Sequence, residues 1–142
     1  MDTEFTITLD QVKDYQFTVS LDKESHGKLT MDEPPPIGTD KGPNASRVLS
    51  SALGHCLTSS LISRLQRSRI VLRQVTTNVH TTLAGNDAGR LRVHGIRVDI
   101  NVDPLNKQDR ERMKQCLEFF EDFCVVTQSV RKGINVEVAV KT

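Results

Sequence analysis

The sequence predicts an α+β fold, with mostly antiparallel sheets around two core helices. Runs of alternating apolar and polar residues, typical of strands, occur near both ends of the chain and in its middle. Two stretches with helical spacing of apolar residues separate these runs, which gives the order strands, long helix, strands, helix, strand. With 142 residues and no change of composition along it, the chain is expected to form one domain over residues 1–142.

The overall composition argues against several classes of function. Nineteen Lys and Arg against eighteen Asp and Glu give a net charge of +1, which offers no reason to expect nucleic acid or an anionic membrane as a partner. The opening MDTEFTITLD is acidic and alternating, unlike a secretory signal. No stretch approaches the roughly 18 consecutive apolar residues of a membrane span. We therefore expect a cytoplasmic protein.

The N-terminal part of the chain predicts a small sheet followed by a loop. The runs EFTITL and YQFTVSL, separated by DQVKD, predict a hairpin over residues 4–21. GKLTM, residues 27–31, predicts a third short strand. The segment DEPPPIGTDKGPN, residues 32–44, is so rich in Pro and Gly that we expect an ordered loop or crossing segment.

A long helix is predicted after this loop. Asn44 or Ser46 would cap it, and it would end at about Arg67. Many of its residues are Ser, Ala or Gly, so we expect close packing against another element. Its apolar positions keep helical spacing: Leu49, Ala52, Leu53, Cys56, Leu57, Leu61 and Leu65.

Two strands are predicted in the middle of the chain. Residues 74–84 alternate apolar and polar side chains, NDAG turns the chain, and residues 90–102 form the second strand. The apolar phase of this second strand shifts at Gly95, which is typical of a β-bulge.

The last part of the chain predicts a second helix and a closing strand. Asp103-Pro104 is suited to begin the helix, and INVEVAV, residues 134–140, predicts the strand that follows Gly133. One apolar stripe runs along the predicted helix and ends at Cys124, which should therefore point inward: Met113, Cys116, Leu117, Phe120 and Cys124.

The three cysteines do not form a disulfide framework, because their number is odd and their spacing is wide. Cys56 and Cys124 lie on the inward faces of the two core helices, and buried cysteines are often simple core residues, as we expect for Cys116. A zinc site would need ligand spacings that this chain lacks. His55 adjoins Cys56, but adjacent helical residues point about 100° apart, so it is not expected to activate the thiol.

A pair of nearby thiols permits a specific chemistry. A thiolate that attacks a peroxide oxygen becomes a sulfenic acid, and a second thiol condenses with it to a disulfide. Such a pair needs Cα atoms within roughly 7 Å of each other. The spacing of apolar residues alone does not establish that distance.

Two motifs carry a resemblance to a known family. DEPPPIGTDKGPNASRVLSSALGHC ends at Cys56, and CLEFFEDFCVV contains Cys124. Together they resemble the OsmC/Ohr family, the osmotically inducible protein C and organic hydroperoxide resistance proteins. In that family a Gly-rich lead-in precedes a central helix with one cysteine, and a second cysteine follows a later helix in a Cys-Pro-Val-Ser-like turn.

The resemblance implies a thiol-dependent peroxidase with an OsmC-like fold. Cys56 would be the peroxidatic cysteine that reduces an organic hydroperoxide to the alcohol, and Cys124 would be the resolving cysteine. The family also implies an intertwined homodimer, an external dithiol reductant and no cofactor or metal, in defence against oxidative stress. The alternative is a non-enzymatic member that binds a small ligand or senses redox state with slow cysteines.

This chain departs from the family pattern at two places. Ser46 stands where family members often carry Glu, and Cys-Val-Val-Thr replaces Cys-Pro-Val-Ser at Cys124. In the family the acid is paired with an Arg that lowers the pKa of the reactive thiol. Here Lys28, Lys41, Arg47 or no cation at all would have that role.

Overall fold

The computed structural model describes residues 3–142 and confirms the α+β class, with three helices and antiparallel sheets. The described residues form two compact units, the first ending at Leu49 and the second running from Ser50 to Thr142. The single domain over residues 1–142 stays a prediction. No helix in the described part of the chain combines the length and apolar character that a bilayer crossing requires.

The first unit contains a three-stranded antiparallel sheet: β1 (Thr8–Lys13), β2 (Gln16–Ser20) and β3 (Lys28–Met31). The predicted hairpin and third strand are therefore confirmed. The predicted connection was wrong, because most of DQVKD belongs to β1 and residues 4–7 are not in a strand. Asp14, with a φ of 50°, allows the chain to reverse in a tight turn directly after Lys13.

The predicted loop at residues 32–44 is confirmed, and one buried carboxylate organises it. Asp32 is only 4% exposed. It accepts hydrogen bonds from the backbone N–H groups of Glu33, Thr39 and Lys41 and from the Thr39 hydroxyl, at 2.8–3.3 Å. The Lys41 N–H is the strongest influence on the carboxyl, and together with the other donors it outweighs burial and holds the pKa of Asp32 below its usual value.

Replacing Asp32 by asparagine is expected to destabilise the fold in a pH-dependent way. A carboxyl whose pKa is lowered in the folded state stabilises the protein above the unfolded-state pKa of about 3.9. That contribution is lost as the pH falls through the lowered folded-state pKa. The difference in unfolding free energy between wild type and Asp32→Asn, measured by urea denaturation from pH 7 to pH 3, should therefore shrink below about pH 4.

The exposed Asp40 of the same loop provides the control. Asp40→Asn removes an equal charge without touching the hydrogen bonds to Asp32. We expect its stability difference from wild type to be small across this pH range. An Asp32→Asn difference that stays constant with pH would contradict the assigned role of the ionised carboxylate.

The second unit contains a long β-hairpin and most of the helical structure. The helix α1 (Ala45–Arg67) enters it from the first unit and is followed by β4 (Leu72–Gly85), β5 (Leu91–Pro104), α2 (Arg110–Cys116) and α3 (Val125–Lys132). The predicted extent of α1 is confirmed, and Asn44 is its cap, because the Asn44 Oδ1 accepts a hydrogen bond from the Arg47 N–H at 3.3 Å.

Small residues let α1 lie close to β4. A Cβ on Gly54 would lie 2.6 Å from Val79 Cγ2, well inside van der Waals contact, so only glycine fits here without a shift. Thr58 and Thr77 share a hydroxyl hydrogen bond of 2.5 Å on the same face. The close packing predicted from the small residues of α1 is confirmed at this point.

The core of the second unit lies between the C-terminal half of α1, α2 and the β4–β5 hairpin. Cys116 belongs to it, as predicted, with its thiol 3.1 Å from the Ser68 hydroxyl. The buried core residues are Leu61, Leu65, Ile70, Met113 and Cys116, with Leu72, Ile100, Val102 and Phe120 packed against them.

The β-bulge predicted at Gly95 is confirmed. Thr82 pairs with Gly95 and Leu83 pairs with Val93, so His94 is the extra residue on β5.

The predicted second helix was wrong in its start and in its continuity. Pro104 is the last residue of β5, and α2 begins only at Arg110. After α2, Phe119 adopts a left-handed conformation with a φ of 64°, which ends regular helical structure and leads into a short 3-10 turn before α3. Cys124 therefore does not share a helical stripe with Met113.

The predicted closing strand was also wrong for the described chain. Residues 134–142 adopt neither helix nor strand, and the alternating Ile134, Val136, Val138 and Val140 are 62–86% exposed. Alternating apolar and polar residues are compatible with a strand, but a strand also needs a neighbouring strand to complete its hydrogen bonds. The sheet of the second unit pairs only β4 with β5 in the described residues.

Candidate active site

The two predicted site cysteines lie in different positions relative to solvent. Cys56 is on α1, two residues after Gly54, which lies in close contact with β4, and its side chain is partly buried. Cys124 is fully buried, at 0% exposure, and is the residue that precedes the first turn of α3. Both thiols are free. The prediction that Cys124 points inward is confirmed. The reason differs from the predicted one, because Cys124 lies at the start of α3 and not at the end of an apolar stripe on the second helix.

The fold brings the side chains of Cys56 and Cys124 close enough to influence each other's ionisation. Cys124 Sγ also lies 3.0 Å from the Thr127 hydroxyl. The backbone N–H groups of Val126 and Thr127, in the first turn of α3, lie near the same sulfurs and favour their ionisation. The site is thus a pair of thiols at the beginning of α3.

These surroundings affect the two thiols in opposite directions. Burial raises the pKa of Cys56, and the hydrogen bond to Cys124 and its charge raise it further, against a smaller lowering by the Val126 and Thr127 N–H groups. Burial also disfavours ionisation of Cys124. There, however, the interactions with Cys56, with the Thr127 hydroxyl and with the two N–H groups prevail, so the pKa of Cys124 is lowered.

A cavity of about 490 Å³ opens beside Cys56. The α1 side of this cavity carries small and polar side chains, and Phe123 with Val125 and Val126 forms an apolar wall opposite. Cys124 does not line it. A small molecule in this cavity would therefore meet Cys56 first.

The other residues considered from the sequence lie elsewhere or have other contacts. His55 lines the same cavity, and its Nε2 is 3.5 Å from the Ser59 hydroxyl. Arg47 donates a hydrogen bond from Nη1 to Asn44 Oδ1 at 3.1 Å. Arg47, Lys28 and Lys41 belong to the first unit, and the cation that would activate Cys56 stays a prediction.

Thr127 is the site residue that the sequence analysis missed. The sequence does contain a signal for it. In Cys-Val-Val-Thr, the hydroxyl residue Thr127 follows three positions after Cys124, the residue that precedes the helix. This spacing is that of a capping interaction between the N-cap and the third helical residue. The sequence analysis assigned Cys124 to the same helix as Met113, and in that helix Cys124 would not be a capping residue.

Within residues 3–142, no group of three or more His, Cys, Asp or Glu side chains is placed to hold a metal ion.

Comparison with solved structures identifies the fold. An OsmC-like protein of Mycoplasma pneumoniae is 20% identical, with a TM-score of 0.74 over 92% of this chain and 89% of that one. An OsmC-like protein of unknown function from Vibrio cholerae is 14% identical, with a TM-score of 0.72 over 90% of this chain and 94% of that one. An organic hydroperoxide resistance protein OsmC from Legionella pneumophila is 14% identical, with a TM-score of 0.66 over 90% and 89%.

Comparison of sequences gives the family. No curated protein matches significantly. The family model described as OsmC-like protein matches residues 38–139, a range that contains α1 with Cys56 and the start of α3 with Cys124. The resemblance seen in the two cysteine motifs is thereby confirmed, and this chain belongs to the OsmC-like protein family.

Proposed function

We propose that this protein is a thiol-dependent peroxidase that reduces organic hydroperoxides to alcohols. The observation that carries the proposal is the contact between two free thiols, Cys56 and Cys124, of which Cys56 lines a cavity. The Legionella relative of the same fold is named an organic hydroperoxide resistance protein, which supports the substrate class.

The proposed reaction uses each cysteine once. The Cys56 sulfur attacks the terminal oxygen of the hydroperoxide, the O–O bond breaks, and the alcohol leaves while Cys56 becomes a sulfenic acid. The Cys124 sulfur then attacks the Cys56 sulfur, the S–O bond breaks, and the oxygen leaves as water. A dithiol reductant from outside the protein returns the disulfide to two thiols.

The walls of the cavity favour an organic hydroperoxide over hydrogen peroxide. Phe123, Val125 and Val126 offer an apolar surface opposite Cys56. An aryl or fatty hydroperoxide would bury apolar area against this wall, and each buried CH₂ contributes about 0.8 kcal/mol. Hydrogen peroxide has no apolar group to gain from it.

We also propose that the protein acts as a homodimer. The alternating apolar side chains of Ile134, Val136, Val138 and Val140 are exposed in the single chain. A second copy would cover this surface, because contiguous exposed apolar residues usually mark an interaction site. Light scattering would test the proposal, and a monomer at micromolar concentration would contradict it.

The peroxidase proposal is tested by the loss of thiols on addition of a peroxide. We expect cumene hydroperoxide to consume two thiols per chain rapidly, hydrogen peroxide to do so slowly, and peptide mapping by mass spectrometry to identify a disulfide between Cys56 and Cys124. Slow and unselective oxidation, or a product without that disulfide, would contradict the proposal. The non-enzymatic alternative, a ligand-binding or redox-sensing protein with slow cysteines, would then be preferred.

A further inference from the structure

The cavity beside Cys56 extends along one face of α1. Cys56, Ser60, Ser63, Arg64 and Arg67 all line it, and spacings of three and four residues place them in one row on the helix. A helix rises about 1.5 Å per residue, so Arg64 lies about 12 Å and Arg67 about 16 Å further along the axis than Cys56. The cavity is therefore elongated, with the thiol and the two arginines well separated along it.

The charges of Arg64 and Arg67 are not neutralised by acidic neighbours. None of the side chains lining the cavity is a carboxylate, and within residues 3–142 neither arginine forms an ion pair. The Nε of Arg64 is also buried and has no hydrogen-bond partner in the same part of the chain. A buried donor without an acceptor is costly, and an anionic ligand in the cavity would supply one.

A position in the last turn of α1 would by itself explain two basic side chains, because they oppose the helix dipole there. It does not explain the buried Nε of Arg64, since an arginine that only opposes the dipole keeps its charged head in water. The end of a helix carries about half a negative charge, and two guanidinium groups exceed it. The net charge at this end of the cavity is therefore positive.

We propose that Arg64 and Arg67 bind the carboxylate of a long-chain fatty acid hydroperoxide, and that the peroxide group, carried further along the chain, then lies at Cys56. This inference rests on the proposed peroxidase function and names its substrate class. Guanidinium groups bind carboxylates through paired hydrogen bonds, and the apolar wall opposite α1 covers the chain. The cavity of about 490 Å³ falls within the range of roughly 300–1,000 Å³ that small-molecule sites occupy.

The separation between the thiol and the arginines defines the substrate further. A carboxylate at Arg64 or Arg67 and a peroxide at Cys56 must be about 12–16 Å apart, or somewhat less, because long side chains on a helix lean toward its N-terminus. Only a long chain between the two groups provides this distance. A short peroxide such as cumene hydroperoxide reaches Cys56 without touching the arginines. Arg64 and Arg67 should therefore affect the binding of the long acid and not the chemistry at sulfur.

The hydroperoxide of linoleic acid and its methyl ester separate the effect of the carboxylate from that of the chain. Both have the same peroxide group and the same apolar chain, and only the acid is charged. Below the concentration at which either forms micelles, kcat/KM of wild type should be about tenfold higher for the acid. This advantage should decrease at high ionic strength, because salt screens charge pairs near the surface.

Arg64→Gln and Arg67→Gln test the two side chains, and Arg69→Gln is the matched control. Glutamine keeps much of the side-chain length and can hydrogen-bond, but it has no charge. Arg64→Gln and Arg67→Gln together should remove the advantage of the acid, mainly through a higher KM, and leave the rates with the ester and with cumene hydroperoxide unchanged. Arg64→Lys should keep part of the advantage. Arg69 is exposed and does not line this cavity, so its substitution should change none of these rates.

Binding without turnover gives the second readout. Calorimetric titration of Cys56→Ser with lauric acid, which carries no peroxide, should show a dissociation constant that rises about tenfold when Arg64→Gln and Arg67→Gln are added. Arg69→Gln in the same background should leave the constant unchanged. Because Arg67 is exposed, Arg67→Gln alone permits the measurement even if Arg64→Gln does not fold.

The possible outcomes separate the carboxylate site from the peroxidase function. Equal kcat/KM for the acid and the ester in wild type would overturn the inference, as would an equal loss for both peroxides when Arg64 and Arg67 are replaced, or the same loss in Arg69→Gln. A protein that binds lauric acid through Arg64 and Arg67 but reacts with none of the peroxides would overturn the proposed function and leave the carboxylate site intact.

Discussion

Leu65→Ala is expected to lower the free energy of unfolding by about 3–5 kcal/mol. Leu65 is 0% exposed and lies at the centre of the core cluster, where Leu61, Ile70 and Met113 surround it. The substitution removes the transfer free energy of the buried side-chain carbons and leaves a cavity between α1 and α2, and relaxation around such a cavity is only partial. Urea denaturation at one fixed protein concentration would measure the loss.

Leu105→Ala is the matched control for this substitution. The chemical change is identical, but Leu105 is 49% exposed at the end of the hairpin. Its backbone N–H hydrogen bond to the Val71 carbonyl, 2.9 Å long, does not depend on the side chain. We expect a loss below about 1 kcal/mol. Equal losses for the two variants would mean that the α1–α2 cluster is not the core that holds the second unit together.

Local signals in the sequence were sufficient for much of the fold. The start of α1 is determined by Asn44, whose side chain caps it, and the bulge in β5 follows from a change of apolar phase that is visible in the residues around Gly95. Both features depend on residues within a few positions of each other. A short stretch of sequence is therefore enough to predict each of them.

The wrong predictions arise where tertiary structure overrides local pattern. Met113 and Cys124 fit one helical stripe, but Phe119 takes a left-handed conformation between them, which no periodicity of apolar residues reveals. Residues 134–140 alternate like a strand, yet a strand exists only with a hydrogen-bonding neighbour. In both cases the pattern was compatible with the predicted element and did not require it.

The candidate site was predictable only in part for the same reason. Helical spacing placed Cys56 on the packing side of α1, and the family resemblance selected Cys124 as its partner. The contact between the two thiols joins distant parts of the chain, and the donors from Val126 and Thr127 exist because α3 begins there. The opposite pKa shifts of the pair follow from that three-dimensional arrangement and have no signature in the sequence.

Cys56→Ser is expected to abolish the consumption of cumene hydroperoxide, to the level of a buffer blank. The hydroxyl of serine is too weak an acid to form the nucleophile at neutral pH. Cys124 keeps its thiol in this variant but is fully buried and does not line the cavity, so it should not replace Cys56 as the attacking group. A coupled assay with dithiothreitol as reductant measures the rate.

The comparison of Cys56→Ser with Cys116→Ser shows whether accessibility decides which thiol reacts. Cys116 is a core thiol hydrogen-bonded to Ser68, and serine can keep that bond, so this variant should consume peroxide at close to the wild-type rate. Substantial activity remaining in Cys56→Ser would mean that the peroxide reaches Cys124 directly. The start of α3 would then have to open during turnover, because Cys124 is 0% exposed.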